Sequence, residues 1–396
     1  MTGIVTPDNV VQFRAVPYAT IPSRFQQSVL LNDLFSTSRD FTKPGFACPH
    51  TLATDAVGGG PFPNEPASSD FPTSEFGCLI LQINVPLSYL EGDSAKFPSL
   101  PVVVYIHGGG FVLGKIDQQH NTAYIVEQSI NDDQPIIAVN LQYRLGALGY
   151  LATPGGANLA LYDQRNALLW IQKFMVGFGG DPSRVTVFGE SAGSMSICYQ
   201  MLCSPPTSGP LFSRAILMSG IIGPMTAPMP LREAEKLYEK FLDALEIQER
   251  GELAYQKMKT LDVQHIVDVS SKLSAEGVMW IPVQSEEWFG KDKGVVTWDR
   301  IPELLGECNW VDEVVLGTTG FEGTTFISAL QSLTPSNFTT AIAEQLGDEN
   351  ASSLLQAVCP TVSTPNSTVL QYTDFGHVRT YRASTQYTVL YVRLLY

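Results

Sequence analysis

The residue of this sequence that most clearly indicates chemistry is Ser191, which has small neighbours on both sides. It lies at the centre of the pentapeptide Gly-Glu-Ser-Ala-Gly, residues 189–193, directly after a β-branched, mainly apolar run at residues 184–188. Small residues let a backbone make the tight strand-to-helix turn that exposes a serine, and an exposed serine beside a base is a nucleophile. We therefore predict that Ser191 is a catalytic nucleophile, with an ordinary glycine-rich loop as the alternative.

A second glycine-rich segment contains candidate hydrogen-bond donors for a developing oxyanion. The apolar run at residues 102–106 leads through a histidine into three consecutive glycines, residues 108–110. Glycines let backbone N–H groups approach a reacting carbonyl, and each such donor is worth about 10² to 10³ in rate. We predict that the N–H groups of Gly109, Gly110 and Ala192 form an oxyanion hole, whereas the alternative is a plain glycine turn.

Five short apolar runs indicate the elements that must hold these residues, and helical or loop segments separate them. Runs of this kind are typical of a parallel sheet that helices cover on both faces. Residues 1–100 have short strand patterns and Pro/Gly-rich loops instead, which indicates an antiparallel edge. The sequence therefore predicts an α/β fold whose central strands lie at residues 102–106, 136–140, 185–188, 215–218 and 314–317.

After Pro230 the pattern changes to an amphipathic helix over residues 231–247, which has an apolar stripe opposite charged residues. This helix begins a predicted cap-like helical region at about residues 225–305. Neither an internal repeat nor a low-complexity linker interrupts the chain, so we predict one domain over residues 1–396.

Four further segments resemble the type-B carboxylesterase and lipase family of α/β-hydrolases, which includes the cholinesterases. They lie at residues 13–19, 78–85, 140–146 and 158–165, in the order in which the family has them. The resemblance implies an α/β-hydrolase fold, with a mostly parallel central sheet, helices on both faces, helical cap insertions and a short C-terminal part. It also implies a serine carboxylic ester hydrolase, a lipase-like enzyme with a nucleophile elbow and an oxyanion hole. Because the family's cap insertions wall its substrate pockets, the resemblance implies that Trp280 and Trp288 line a pocket; packing in the core is the alternative.

The resemblance further implies roles for an acidic residue and two cysteines. Residues 314–324 resemble the family's strand and acid loop, which gives Glu322 the role of the catalytic acid; a solvated loop glutamate is the alternative. Cys48 and Cys78 match the family's first disulfide, although a reducing cytosol would leave them as thiols.

The base of the triad is the residue that is hardest to place. A triad in this fold has the chain order serine, acid, histidine, and of five histidines His377 alone follows Glu322. His377, however, precedes residues 387–396, which resemble the family's last core strand, and the family's catalytic histidine lies after that strand. Because removing the histidine of a serine triad costs about 10⁶ in turnover, we expect an acyl-enzyme mechanism that is impaired. The alternatives are a non-catalytic, cholinesterase-like binding protein and a truncated product of an active esterase gene.

Composition restricts the partners. The net charge is −15 and acidic residues are spread along the chain, which argues against nucleic acid and anionic membrane surfaces. No apolar run approaches the roughly 18 residues of a membrane span. We expect a small-molecule carboxylic ester as substrate, without a cofactor or metal. The first eight residues have no basic start and no long apolar core, so we expect a cytoplasmic location, although many members of the family are secreted.

Overall fold

The computed structural model describes residues 1–33, 40–51, 72–91, 98–116, 120–319, 340, 343, 347–358 and 390–393. The chain forms two units, of which the first comprises Met1–Leu316 with Gln386–Leu390. The second comprises Gly317–Thr385 with Tyr391–Tyr396. The candidate site residues that the structure describes all lie in the first unit.

The strands of the described residues form a main sheet and a small separate one. Their bounds are β1 (Ile4–Val5), β2 (Val10–Pro17), β3 (Ala19–Thr20), β4 (Val29–Leu30), β5 (Ile80–Pro86), β6 (Leu100–Ile106), β7 (Ile137–Leu141), β8 (Gly180–Glu190), β9 (Arg214–Met218), β10 (Glu313–Thr318) and β11 (Leu390–Arg393). The main sheet has the order β1-β2-β5-β7-β6-β8-β9-β10-β11, and β3 pairs with β4 alone.

The main sheet is antiparallel at its N-terminal edge and parallel at its centre. β1, β2, β5 and β7 pair antiparallel in that order, whereas β7, β6, β8 and β9 pair parallel. The register places Val104 of β6 opposite Val139 and Val187, and all three are fully buried. Side chains buried on both faces explain why these strands read as continuous apolar runs. The predicted antiparallel edge and parallel centre are confirmed.

Helices connect the strands. Their bounds are α1 (Leu87–Glu91), α2 (Ala123–Asn131), α3 (Gly146–Tyr150), α4 (Leu159–Phe174), α5 (Ala192–Leu202), α6 (Leu231–Ala244), α7 (Gly251–Thr260), α8 (Val263–Ala275), α9 (Glu286–Phe289), α10 (Ile301–Gly306) and α11 (Asp348–Val358), with 3₁₀ turns at Met175–Phe178 and Trp298–Arg300. In the part of the chain that the structure describes, no helix combines the length and the apolar character needed to cross a bilayer.

Helix α6 ends at Ala244, three residues before the predicted end at residue 247. The cause is Glu246, whose φ of 58° reverses the backbone just after the helix. A residue in this left-handed region cannot continue a right-handed helix. The apolar stripe nevertheless continues past the helix, because Leu245 and Ile247 are both buried in the core.

The two tryptophans of the predicted cap region pack in the core. Trp280 is 1% exposed, meets Phe241 edge to face at 5.7 Å and donates its indole N–H to Ser274 Oγ at 2.8 Å. Trp288 is equally buried and meets Tyr162 edge to face at 4.9 Å. Of the two interpretations left open by the sequence, packing is the one that the structure shows.

Two buried ion pairs connect distant parts of the first unit. Arg144 binds both carboxylate oxygens of Asp163 at 2.7 and 2.8 Å, and the two side chains are 2% and 0% exposed. Arg24 binds both carboxylate oxygens of Glu75 at 2.6 and 2.7 Å. Arg24 also donates to the backbone carbonyls of Met258 and Leu261, at 3.2 and 2.6 Å. The hydrogen bonds of Arg24 therefore join the N-terminal segment to the end of α7.

Candidate functional site

Ser191 occupies the turn between strand β8 and helix α5. Its backbone has φ 53° and ψ −120°, a conformation that side-chain-bearing residues rarely adopt. The Ser191 N–H donates to the Met218 carbonyl at 2.9 Å, and the Ser191 carbonyl accepts from the Met195 N–H at 3.0 Å. The side chain lies at the start of α5 and is partly exposed. The structure therefore places the predicted nucleophile at a sharp strand-to-helix turn.

Two glycines make this turn sterically feasible. A Cβ added to Gly193 would overlap the carbonyl oxygen of Ile106, because the first turn of α5 lies directly against the end of β6. A Cβ added to Gly220 would overlap the Ser191 carbonyl, because the loop after β9 passes close behind the turn. The backbones of three neighbouring segments thus enclose Ser191, and a larger residue at either glycine would displace it.

The glycine loop, residues 107–116, leaves the end of β6 beside Ser191. A Cβ added to Gly108 would lie 3.3 Å from the Ser191 Cβ, which shows how closely the two segments approach. Gly109 and Gly110 have φ of 102° and 60°, and the Gly109 carbonyl accepts the N–H groups of Val112 and Leu113. The structure therefore brings the loop that contains the predicted oxyanion donors next to the predicted nucleophile.

The third predicted donor, the N–H of Ala192, belongs to the first residue of α5. The side chain of Ala192 is 1% exposed, so the residue is packed in place. N–H groups in the first turn of a helix have no carbonyl partner within the helix, and the helix dipole favours negative charge there. This end of α5 is chemically suited to an anion.

Tyr143 and His107 hold the beginning of the glycine loop. The Tyr143 hydroxyl donates to the His107 carbonyl at 2.8 Å, and the two rings stack with centroids 4.4 Å apart. The His107 Nδ1–H donates to the Gly108 carbonyl at 2.9 Å. Burial raises the pKa of Tyr143 far above its usual range, so the phenol stays neutral and donates. The sequence analysis did not predict this role of Tyr143. The signal that could have indicated it is that His107 and Tyr143 follow two neighbouring parallel strands, β6 and β7.

Gln142 holds the far end of the same loop. Its side-chain oxygen accepts the Ile116 N–H at 3.0 Å, and its amide nitrogen donates to the carbonyls of Phe46 and Cys78 at 2.7 and 3.0 Å. The residue is 1% exposed, so these bonds are shielded from water. Gln142 therefore connects the loop to the two segments that carry Cys48 and Cys78. No local pattern predicts this role, because the partners are far apart along the chain.

Cys48 and Cys78 form a disulfide, with their Cα atoms 4.8 Å apart. Two other cysteines of the described residues, Cys198 and Cys203, are free thiols. Burial raises the pKa of Cys198 to about 12, which leaves this residue of α5 an unreactive thiol. Within the described ranges, no group of three or more His, Cys, Asp or Glu residues could hold a metal ion.

The other predicted catalytic residues, Glu322 and His377, lie outside the described residues. The structure thus brings together Ser191, Ala192 and the loop with Gly109 and Gly110, and gives no position for the acid or the base.

Comparisons with known proteins agree with this geometry. A family model described as "Carboxylesterase family" matches residues 2–373. Lipase 1 of Yarrowia lipolytica (strain CLIB 122 / E 150) is 35% identical over 229 residues, which cover 56% of this chain and 44% of the lipase. Acetylcholinesterase of Danio rerio is 33% identical over 248 residues, which cover 59% of this chain and 36% of that protein. The chain thus spans less than half the length of these two relatives.

Solved structures show the same fold. A structure titled "PNB esterase" aligns with a TM-score of 0.67 and 25% sequence identity, over 90% of this chain and 69% of the esterase. A second, a thermophilic PNB esterase, aligns with a TM-score of 0.70 at the same identity and coverage. The predicted α/β-hydrolase fold is confirmed.

Proposed function

Because the chain belongs to the carboxylesterase family, we propose that it hydrolyses carboxylic esters through an acyl-enzyme formed on Ser191. The observation that carries this proposal is the backbone of Ser191, which is held at φ 53° directly beside the glycine loop. Such strained conformations cost free energy and occur mainly where function requires them. Here the strained turn places the Ser191 hydroxyl next to the glycine loop, whose backbone N–H groups are the proposed donors to an oxyanion.

The proposed reaction has two steps. The Ser191 oxygen attacks the ester carbonyl carbon while a base accepts the hydroxyl proton, and the resulting oxyanion accepts hydrogen bonds from Gly109, Gly110 and Ala192. The C–O bond to the alcohol then breaks, and the alcohol leaves with the proton that the base returns. A water molecule attacks the acyl-enzyme in the same way, which releases the carboxylic acid and restores Ser191.

Glu322 and His377 complete the proposal. Glu322 would orient a histidine base, and His377 is the histidine that follows it in the chain. We propose turnover that is slow relative to a complete triad, because His377 precedes residues 387–396, which resemble the family's last core strand, whereas the family's base follows that strand.

The proposed substrates are small, neutral esters. A chain with a net charge of −15 repels carboxylates and phosphates, and an ester without charge escapes that repulsion. Proteins named lipase and acetylcholinesterase are among the relatives, which supports an ester as the reacting group. The chemistry needs water as its second substrate and no cofactor.

A fluorophosphonate probe and p-nitrophenyl acetate test the proposal. We expect the probe to label the wild-type chain and p-nitrophenol to be released, and we expect Ser191→Ala to abolish both. Ser183→Ala is the matched control, because Ser183 lies on the same strand, β8, and is exposed. Labelling that persists in Ser191→Ala would refute Ser191 as the nucleophile.

The role of the base has its own measurement. If His377 is the base, His377→Ala lowers p-nitrophenyl acetate turnover by several orders of magnitude while probe labelling slows. Rapid turnover that His377→Ala does not change would contradict the proposal of an impaired triad. Reversible binding of esters without any acylation would favour the non-catalytic binding protein instead.

A further inference from the structure

A cavity of about 170 Å³ lies beside the glycine loop, in the first unit. The described residues that line it come from segments 49–51, 112–113 and 145–148 and from helix α8. Residues of the Ser191 turn are not among these lining residues. The lining is mostly apolar, and the cavity is similar in size to an engineered protein cavity of about 150 Å³ that binds benzene. The space therefore fits one aromatic ring.

His50 contributes a polar atom to this apolar lining. The residue is 9% exposed, and its Nδ1–H donates to the Cys48 carbonyl at 2.7 Å. A neutral imidazole that donates through Nδ1 has a lone pair on Nε2, which can accept a hydrogen bond. Within the described part of the chain, His50 Nε2 has no hydrogen-bond partner. His50, which lines the cavity, thus offers an acceptor.

The charge state of His50 supports this assignment. Burial is the largest influence on its pKa and lowers it, and the positive charge of Lys115 lowers it further. The hydrogen bond to Cys48 acts in the opposite direction but does not reverse the shift. The imidazole is therefore neutral near pH 7, so Nε2 accepts a hydrogen bond from a ligand and does not donate one.

Two serines of the lining already use their polar atoms. Ser270 Oγ accepts the Ala147 N–H at 3.0 Å. Ser274 Oγ accepts the Trp280 indole N–H at 2.8 Å and donates to the Ser270 carbonyl at 3.1 Å. The hydroxyls of Ser270 and Ser274 already make hydrogen bonds within the protein, so they are less available to a ligand than His50 Nε2 is.

We propose that this cavity binds a small phenol, with the ring among the apolar residues and the hydroxyl donating to His50 Nε2. A single ring fits the volume, and the acidic O–H of a phenol is a donor that matches the acceptor nitrogen of His50. A carboxylate would bring only acceptors to an acceptor nitrogen, and a cation would meet the positive charge of Lys115. Binding of a phenol in this cavity does not require that Ser191 be acylated. The phenol site can therefore be tested independently of the esterase reaction.

Fluorine NMR titrations of the whole chain with 4-fluorophenol and with fluorobenzene test this proposal. We expect saturable binding of both probes to the wild-type chain, with 4-fluorophenol the tighter. His50→Phe keeps a ring of similar size but removes the acceptor, so it should weaken 4-fluorophenol roughly fivefold to tenfold and change fluorobenzene by less than about twofold. Methyl NMR shifts should place the probe at Leu113 and Leu148, which line the cavity.

A second variant keeps the test decisive if His50→Phe does not fold. Ser271 is partly exposed at the cavity edge, so Ser271→Phe should fold and fill the space, and both probes should then lose binding. A cavity that stays empty, with no saturable binding, would overturn the proposal. Equal loss of both probes in a folded His50→Phe, or binding that Ser271→Phe does not affect, would overturn it as well.

Discussion

Ser191 shows how far one residue can depart from the conformation that its side chain prefers. Its φ of 53° with ψ of −120° costs about 1–3 kcal/mol for a residue that carries a Cβ. The backbone persists there because Gly193 and Gly220 allow the end of β6 and the loop after β9 to pack tightly around it. At this position the fold keeps a backbone conformation of higher free energy, and that conformation exposes the Ser191 hydroxyl.

Replacing this residue by glycine therefore gives the first prediction at the residue scale. Ser191→Gly should raise the free energy of unfolding by about 1 kcal/mol, because glycine adopts positive φ without strain. Guanidinium unfolding followed by tryptophan fluorescence measures this change. The same variant should lose all fluorophosphonate labelling.

Ala192→Gly is the control for this prediction. Ala192 begins helix α5, where glycine should lower the stability by about 0.5–1 kcal/mol. If both glycine variants are destabilised by equal amounts, the idea of strain at Ser191 is wrong.

At the scale of the elements, the two residues that follow β7 determine where the glycine loop lies. Tyr143 holds the start of the loop through the His107 carbonyl, and Gln142 holds its far end through the Ile116 N–H. Oxyanion donors are effective only when they are positioned before the reaction begins. Two adjacent residues, Tyr143 and Gln142, therefore position the loop that carries the predicted oxyanion donors.

Tyr143→Phe is the prediction that belongs to this scale. The change removes the hydrogen bond to His107 and keeps the ring that stacks on the imidazole. We expect kcat for p-nitrophenyl acetate to fall roughly threefold to tenfold while KM stays within about twofold, because the loop supports the transition state more than the ester.

Tyr199→Phe provides the matched comparison. Tyr199 is also fully buried, and its hydroxyl donates to the Thr226 carbonyl, away from the glycine loop. This variant should lose a similar amount of stability but keep kcat. Equal losses of kcat in both variants would show that Tyr143 has only a structural role.

The sequence predicted the elements better than the contacts between them. The buried central strands were found because apolar runs reflect local burial, and the predicted run at 102–106 lies within β6. Ser191 and the three glycines were found because their spacing is local. Tyr143 and Gln142 were not, since their partners lie 36 and up to 96 residues away and no short pattern encodes such pairings.

At the scale of the whole molecule, the Cys48–Cys78 disulfide should matter for global stability. It joins residues that are 30 positions apart and lies beside the Gln142 hydrogen bonds. A cross-link of this length stabilises a fold by about 2–4 kcal/mol, mainly because it restricts the unfolded chain. We predict that a reductant lowers the guanidinium midpoint of the wild-type chain accordingly.

The double variant Cys48→Ala/Cys78→Ala is the control for this measurement. It should already have the lower midpoint, and the reductant should not change it further. If the oxidised wild-type chain and the double variant unfold at the same guanidinium concentration, the cross-link does not contribute to stability.

The hydrogen bonds of Arg24 have a consequence for the order of events during synthesis. Arg24 donates to the Leu261 carbonyl, which is 237 residues further along the chain. At a translation rate of about 5–20 residues per second, roughly 10–50 s pass before that acceptor has been made. During this time the Arg24 guanidinium stays hydrated or pairs only with Glu75. The N-terminal segment therefore reaches its final hydrogen bonding late, after most of the first unit has left the ribosome.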